Sequence, residues 1–75
     1  MLTFESDKDK DRIEIHGDKE GLLKLAKILT EMAEQDSSDH RHLMTQDWGG
    51  SELTSDKQGL DNNFYHHVKI FFLKK

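Results

Sequence analysis

The chain of 75 residues contains no cysteine and no proline. Lacking cysteine, it has no disulfide framework, no thiolate metal site and no thiol nucleophile, although every redox compartment stays open to it. Lacking proline, it has no strand pattern interrupted by a residue that cannot donate to a ladder. Long apolar runs are missing too. The longest, Ile70-Phe71-Phe72-Leu73, falls far short of the roughly 20 residues a membrane span needs. The first stretch, Met1-Leu2-Thr3-Phe4-Glu5-Ser6-Asp7, has neither the basic start nor the apolar core of a secretory signal. Positive charge is scarce: 11 Lys+Arg against 15 Asp+Glu give a net charge of -4. That balance argues against a nucleic-acid partner, whose phosphates are neutralised by clustered Lys and Arg.

What is present defines one small domain. Hydrophobic residues make up 33% and charged residues 35%, but four Phe, one Tyr and one Trp, together with clear apolar runs, argue against disorder. A chain this short buries only roughly 60% of its unfolded surface, so the core is thin. Leu2-Thr3-Phe4-Glu5 and Arg12-Ile13-Glu14-Ile15-His16 alternate apolar and polar residues, the period-two mark of half-buried strands. Between them, Ser6-Asp7-Lys8-Asp9-Lys10-Asp11 reads as a solvated hairpin loop. Asp7, Asp9 and Asp11 have the spacing that opens a calcium loop, but the sixth position holds no glycine and the twelfth is Asp18, so the EF-hand pattern fails.

Asp18 is placed as an N-cap, with Glu20 in the first helical turn. At 100° per residue, Leu22, Leu25, Ala26, Ile28, Leu29, Met32 and Ala33 share one arc, opposite Lys24, Lys27, Glu31 and Glu34. This predicts an amphipathic helix of roughly 16 residues and about 24 Å, with Leu23 outside the arc. His40-Arg41-His42-Leu43-Met44-Thr45 resumes an extended pattern, and a loop with paired glycines follows, Gln46-Asp47-Trp48-Gly49-Gly50-Ser51-Glu52-Leu53-Thr54. Ser55 to Asn63 is polar, with a turn expected at Gly59. Phe64 to Leu73 carries the strongest strand signal.

The expected order is β-β-α-β-β, an α+β fold in two layers with one amphipathic helix packed on a mainly antiparallel sheet. Strand order stays open, because sequential and split arrangements fit the same letters. Leu2, Phe4, Ile13, Ile15, Leu43, Val68, Ile70 and Phe72 are expected under the helix. One helix cannot cover both faces of a sheet. The reverse face is therefore expected to stay free, carrying Thr3, Glu5, Arg12, Glu14, His16, Tyr65, His67, Lys69 and Phe71, with His40 and His42 or their alternates.

Three chemistries compete for these letters. Five histidines invite a metal reading: His40 and His42 share a strand face at i,i+2, with His16 and His67 within reach across the sheet. Such a set suits Zn(II), Cu(II) or Ni(II), although a polar sheet face explains the same residues. An enzyme would use His42 or His67 as base and Asp47 or Glu52 to orient it. No nucleophile elbow or phosphate loop accompanies them, and a thin domain gives little depth for a pocket. Trp48, alone of its kind and flanked by Asp47 and Glu52, fits either a cap on the core edge or a protein-binding hot spot. Open faces and edges also allow a homodimer that serves as an assembly module.

The string Ile15-His16-Gly17-Asp18-x-Glu20-Gly21-Leu22, then His42-Leu43-Met44-Thr45-x-x-Trp48-Gly49-Gly50-x-Glu52-Leu53, then His66-His67-Val68-Lys69-Ile70, resembles the immunity protein 32 family. Ser51 and the Gln46-Asp47 pair depart from its pattern. The resemblance implies a small cytoplasmic bacterial protein, without enzymatic activity or cofactor, that binds and neutralises a cognate protein toxin. It points to Met44, Thr45, Trp48, Gly49 and Glu52 as a binding loop. Asp47 beside the tryptophan, and His42 and His67 on the uncovered face, complete the expected partner-binding set. The excess of carboxylates has the sign that would steer a basic toxin, and is also an ordinary solubility charge.

Overall fold

In the computed structural model, which describes all 75 residues, the two period-two segments form an antiparallel hairpin of β1 (Leu2–Ser6) and β2 (Ile13–Gly17), in register from Leu2 opposite Gly17 to Ser6 opposite Ile13. Its loop is closed by Asp7, whose Oδ1 accepts the N–H groups of Asp11 at 2.8 Å and Arg12 at 3.3 Å, while Lys10 takes the left-handed φ of 59°.

Asp18 then starts α1 (Lys19–Ala33) as expected, its Oδ1 accepting the Gly21 N–H at 2.8 Å. That bond satisfies one of the donors left free at a helix start. The buried stripe of α1 is narrower than its apolar arc. Gly21, Leu25, Ile28 and Met32 are buried, whereas Leu22, Leu29, Ala26 and Ala33 are exposed along with Leu23.

The polar turn after α1 leads into β3 (Asp39–Met44). A 3-10 turn at Gln46–Trp48 follows, then two final strand segments, β4 (Asn63–Phe64) and β5 (His67–Phe72). These last two were expected as one strand. They are one extended stretch that changes partner. Its first residues pair antiparallel with β1, Glu5 opposite Phe64, and its later residues pair with β3 from Met44 opposite His67 to Asp39 opposite Phe72. The exchange falls at Tyr65 and His66, where Tyr65 N–H donates to Phe4 C=O and His66 C=O accepts from Thr45 N–H, both at 2.9 Å. The expected single four-stranded layer is thus divided into β2-β1-β4 and β3-β5. The fold is α+β, with antiparallel pairing throughout its named strands.

The core gathers Leu2 and Phe4 from β1, Leu25, Ile28 and Met32 from α1, Leu43 from β3, and Leu53, with Val68, Ile70 and Phe72 packed against it. Two of the expected core residues lie outside. Ile13 is 65% and Ile15 50% exposed, because β2 is an edge strand beyond the narrow stripe of α1. Leu53, expected in a loop, is inside.

The reverse face corrects a second expectation. Over β1 it is closed by the chain itself: the segment Gln58–Asn62 folds across it, leaving Thr3 and Glu5 buried. Over β3 and β5 it stays open, and exposure alternates along β5 with His67, Lys69 and Phe71 outward.

Candidate functional site

The turn after β3 is built residue by residue from its own hydrogen bonds. Thr45, fully buried, is its hub. Its C=O accepts the N–H groups of Trp48 at 3.0 Å and Gly50 at 2.9 Å, and its Oγ1 meets His66 Nδ1 at 2.8 Å. Gly49 supplies the left-handed φ of 88° that ends the 3-10 turn, where a side chain would be strained. Gly50 passes so close to Met44 that a Cβ would run into the Met44 carbonyl oxygen. Glu52 turns back to accept Met44 N–H at 3.1 Å and Ser51 N–H at 3.3 Å. Burial pushes its carboxyl up, but those backbone bonds outweigh it and hold the pKa below the ordinary value. Leu43 and Leu53 anchor the two ends in the core.

The effect of this bracing is to hold one large side chain outward. Trp48 is 58% exposed and lies nearly parallel to His66, with ring centroids 5.4 Å apart and an interplanar angle of 12°. From that stack a chain of rings runs across the uncovered face. Trp48 lies 6.5 Å from His67, His67 meets His42 edge to edge with ring centres 4.9 Å apart, His42 meets His40 edge-on at 5.0 Å, and His40 lies 5.8 Å from Phe71. Phe64 extends it on the other side, 4.8 Å from His66. Lys69 sits on the same face, its Nζ 4.9 Å from the Phe71 ring centre, a cation–π contact.

Within the row, His42 Nδ1 and His67 Nε2 approach to 2.7 Å. One of the two nitrogens carries the proton and the other accepts it, so the pair cannot be doubly protonated and keep the bond. Partial desolvation, followed by the charges of His67, His40 and Lys69, pushes the His42 imidazole below its ordinary pKa.

The expected partner-binding residues therefore divide. Trp48, His42 and His67 come together on one exposed surface. Asp47 and Gly49 are exposed beside them, with Asp47 Oδ2 accepting Ser55 Oγ–H at 3.1 Å. Thr45 is enclosed, Met44 is half-buried and Glu52 is engaged by backbone. Thr45 and Glu52 shape the loop, while Met44, opposite His67 in the ladder, shares the face of His42. The four-histidine metal set is also broken. His16 lies apart from the row, its Nε2 2.9 Å from Glu14 Oε1, while His40, His42 and His67 share the open face. Neither Asp47 nor Glu52 hydrogen-bonds to an imidazole, so the base-and-carboxylate pairing of an enzyme is not formed. The largest concavity, about 550 Å³, lies between Gln46–Asp47 and Thr54–Asp56 with Leu53 as its one apolar wall, unlike a water-excluding pocket.

Sequence reasoning missed two features. His66 was not placed in the row, because strict alternation turns it away from His67; the change of strand partner at Tyr65–His66 brings both rings to Trp48. The Glu5 carboxylate, expected in solvent, accepts Gln58 N–H (2.8 Å), Gly59 N–H (2.9 Å), Asn62 Nδ2–H (2.9 Å) and Thr3 Oγ1–H (2.5 Å). Burial would raise its pKa, yet these bonds prevail and hold it down at about 2. A Thr-x-Glu strand pattern carries no signal for such a clasp.

No curated protein and no solved structure matches the chain significantly. A family model described as Immunity protein 32 does, over residues 12–64. The match runs from β2 through the braced turn to β4 and stops short of β5. It spans well over half of the 75 residues, and it contains every residue of the turn that holds Trp48 outward: this chain belongs to the immunity protein 32 family.

Proposed function

We propose that the protein is a non-enzymatic immunity factor that binds a cognate protein toxin in the bacterial cytoplasm and neutralises it by occlusion. The grip is the Trp48 turn together with the open face of β3 and β5. One observation carries this reading: a rigidly braced turn presents a 58% exposed indole at the end of an uncovered row of rings. Monomeric domains rarely leave aromatic surface uncovered without use, and large amphipathic rings dominate the energetics of protein interfaces. Net charge of -4 adds the sign that favours encounter with a basic toxin. No helix of the protein is long and apolar enough to cross a membrane.

The test is co-expression with candidate toxins, beginning with the product of any reading frame next to this gene. Wild type should restore growth, and Trp48→Ala should restore it poorly while remaining folded by circular dichroism. Failure of wild type to protect defeats the toxin reading, and full protection by the folded variant removes Trp48 from the grip.

Self-association is a second reading, favoured by a different surface. β2 is an edge strand with Ile13 and Ile15 exposed, and exposed edges invite pairing. Sedimentation at several concentrations decides it: a strict monomer ends this reading and leaves the first untouched.

A further inference from the structure

On the outer face of β3 and β5, His42 Nδ1 and His67 Nε2 point at each other across 2.7 Å. The register of the two strands, Met44 opposite His67 and His42 opposite Lys69, fixes where both side chains start. His40 stands two residues before His42 on the same face, its ring centre 5.0 Å away. Two imidazoles joined through one N–H present a ready exchange, because a tautomer shift that moves this proton to the donor ring's other nitrogen leaves both rings neutral and both facing nitrogens free to donate a lone pair to a cation. A small opening of these exposed rings makes room for it.

From this juxtaposition we propose that His42 and His67 form a surface chelate for a divalent transition ion, with His40 swinging in as a third ligand. Three neutral imidazoles are a borderline-soft donor set, suited to Cu(II), Ni(II) and Zn(II) and unsuited to Mg(II) or Ca(II), which take oxygen. Within that group the Irving–Williams order makes Cu(II) the tightest. The other two histidines are committed elsewhere, His16 to Glu14 at 2.9 Å and His66 to Thr45 Oγ1 at 2.8 Å. The nearest positive charge is Lys69, whose ammonium is drawn aside over Phe71. The site goes beyond the toxin reading and stands whether or not the same face grips a partner.

Trp48 is the sole tryptophan and its ring lies 6.5 Å from that of His67, so a paramagnetic ion bound there quenches its fluorescence. The untagged full chain is titrated with Cu(II), then with Ni(II) and Mg(II), and stoichiometry is read by native mass spectrometry. Saturable quenching at one Cu(II) per chain is expected, with none from Mg(II). Loss of an outer-shell contact alone costs about 10–100-fold in metal affinity, so His42→Gln and His67→Gln should each weaken Cu(II) by at least about tenfold. His40→Gln should weaken it less, and His16→Gln should leave it unchanged. His42 and His67 are exposed, so these variants keep the fold, as circular dichroism checks. Three outcomes overturn the proposal: no saturable quenching, wild-type Cu(II) affinity retained in His42→Gln and His67→Gln, or uptake that depends on the carboxylates of Asp7, Asp9 and Asp11, which cluster within 4.8 Å of one another.

Discussion

On the side of the sheet turned away from α1, one half is shut and the other is open, though both are made of polar and ring-bearing side chains. Over β1, Thr3 and Glu5 are buried at 1% and 0% exposure beneath Gln58–Asn62. Over β3 and β5, His40, His42, His67, Lys69 and Phe71 are exposed. Donor supply separates them. A buried carboxylate is tolerable only when its lone pairs are filled, and the loop from Gln58 to Asn62 brings two backbone N–H groups and an amide to Glu5. No such segment reaches β3 and β5, so their outward rings lie against one another, Lys69 and Trp48. The shut half serves the fold. The open half is free to serve a partner.

That division is broken most directly at Glu5. Glu5→Ala leaves the Gln58 and Gly59 N–H groups and the buried Thr3 hydroxyl without their acceptor, while the Asn62 amide keeps only Glu14 Oε1 at 3.1 Å, and each donor stranded out of water costs about 1–3 kcal/mol. A loss of at least about 3 kcal/mol is expected in urea denaturation, a large share of the roughly 4–11 kcal/mol typical of a domain this size. A loss below about 1 kcal/mol would mean that the loop is not held by the carboxylate.

The same clasp sets a pH dependence. The Glu5 carboxyl titrates at about 2 in the fold against an ordinary 4.5. The unfolded chain therefore binds this proton first, and the stability that Glu5 contributes is complete above pH 4.5 and is lost as pH falls toward 2. Glu5→Gln should flatten the fall of stability across that window. An unchanged slope would assign acid sensitivity to other carboxylates.

The contrast between the halves also explains what could be read from the letters. The hairpin, the Asp18 cap, the helix and β3 were legible because each rests on a local signal: period two, a capping residue or a 3.6-residue repeat. The turn that carries the tryptophan was legible for the same reason, since two adjacent glycines are a local signal, but the letters fit a Trp48 that caps the core edge as well as one that faces outward, and the structure turns it outward. Glu5 was not, because its donors come from more than 50 residues away. Ile13 and Ile15 alternate like core residues, yet nothing in that alternation says that β2 lies at an edge beyond the helix stripe. Of the loop residues expected to touch a partner, Thr45 and Glu52 shape the turn. Much of the loop is thus scaffolding, and Trp48 is the large side chain that it displays.

Trp48 sharpens the comparison from the open side. Trp48→Ala removes an interface-type ring and only one stacked contact, with His66. Toxin affinity should fall by about 2 kcal/mol, close to thirtyfold, as for a hot-spot aromatic. Stability should fall by no more than about 1.5 kcal/mol, the upper range for an aromatic pair. Isothermal titration and urea denaturation measure the two quantities. A stability loss larger than the affinity loss would move Trp48 from the open half to the core.

The smallest effect is expected at Thr45, where the enclosed scaffold meets the exposed row. Thr45→Val keeps the volume and removes the hydroxyl that meets His66 Nδ1 at 2.8 Å, a bond worth about 1 kcal/mol. The backbone bonds from Trp48 and Gly50 to the Thr45 carbonyl remain, so the turn survives. His66 is then free to rotate out of its 12° stack with Trp48, and the indole loses the ring that defines its orientation. Toxin affinity should therefore drop severalfold with the Trp48 side chain still in place, and Trp48 emission should shift toward that of a solvated indole. Thr45→Ser, which keeps the hydroxyl, should restore the emission. If valine and serine behave alike, the hydroxyl bond does not set the orientation of Trp48, and the backbone of the turn alone presents it.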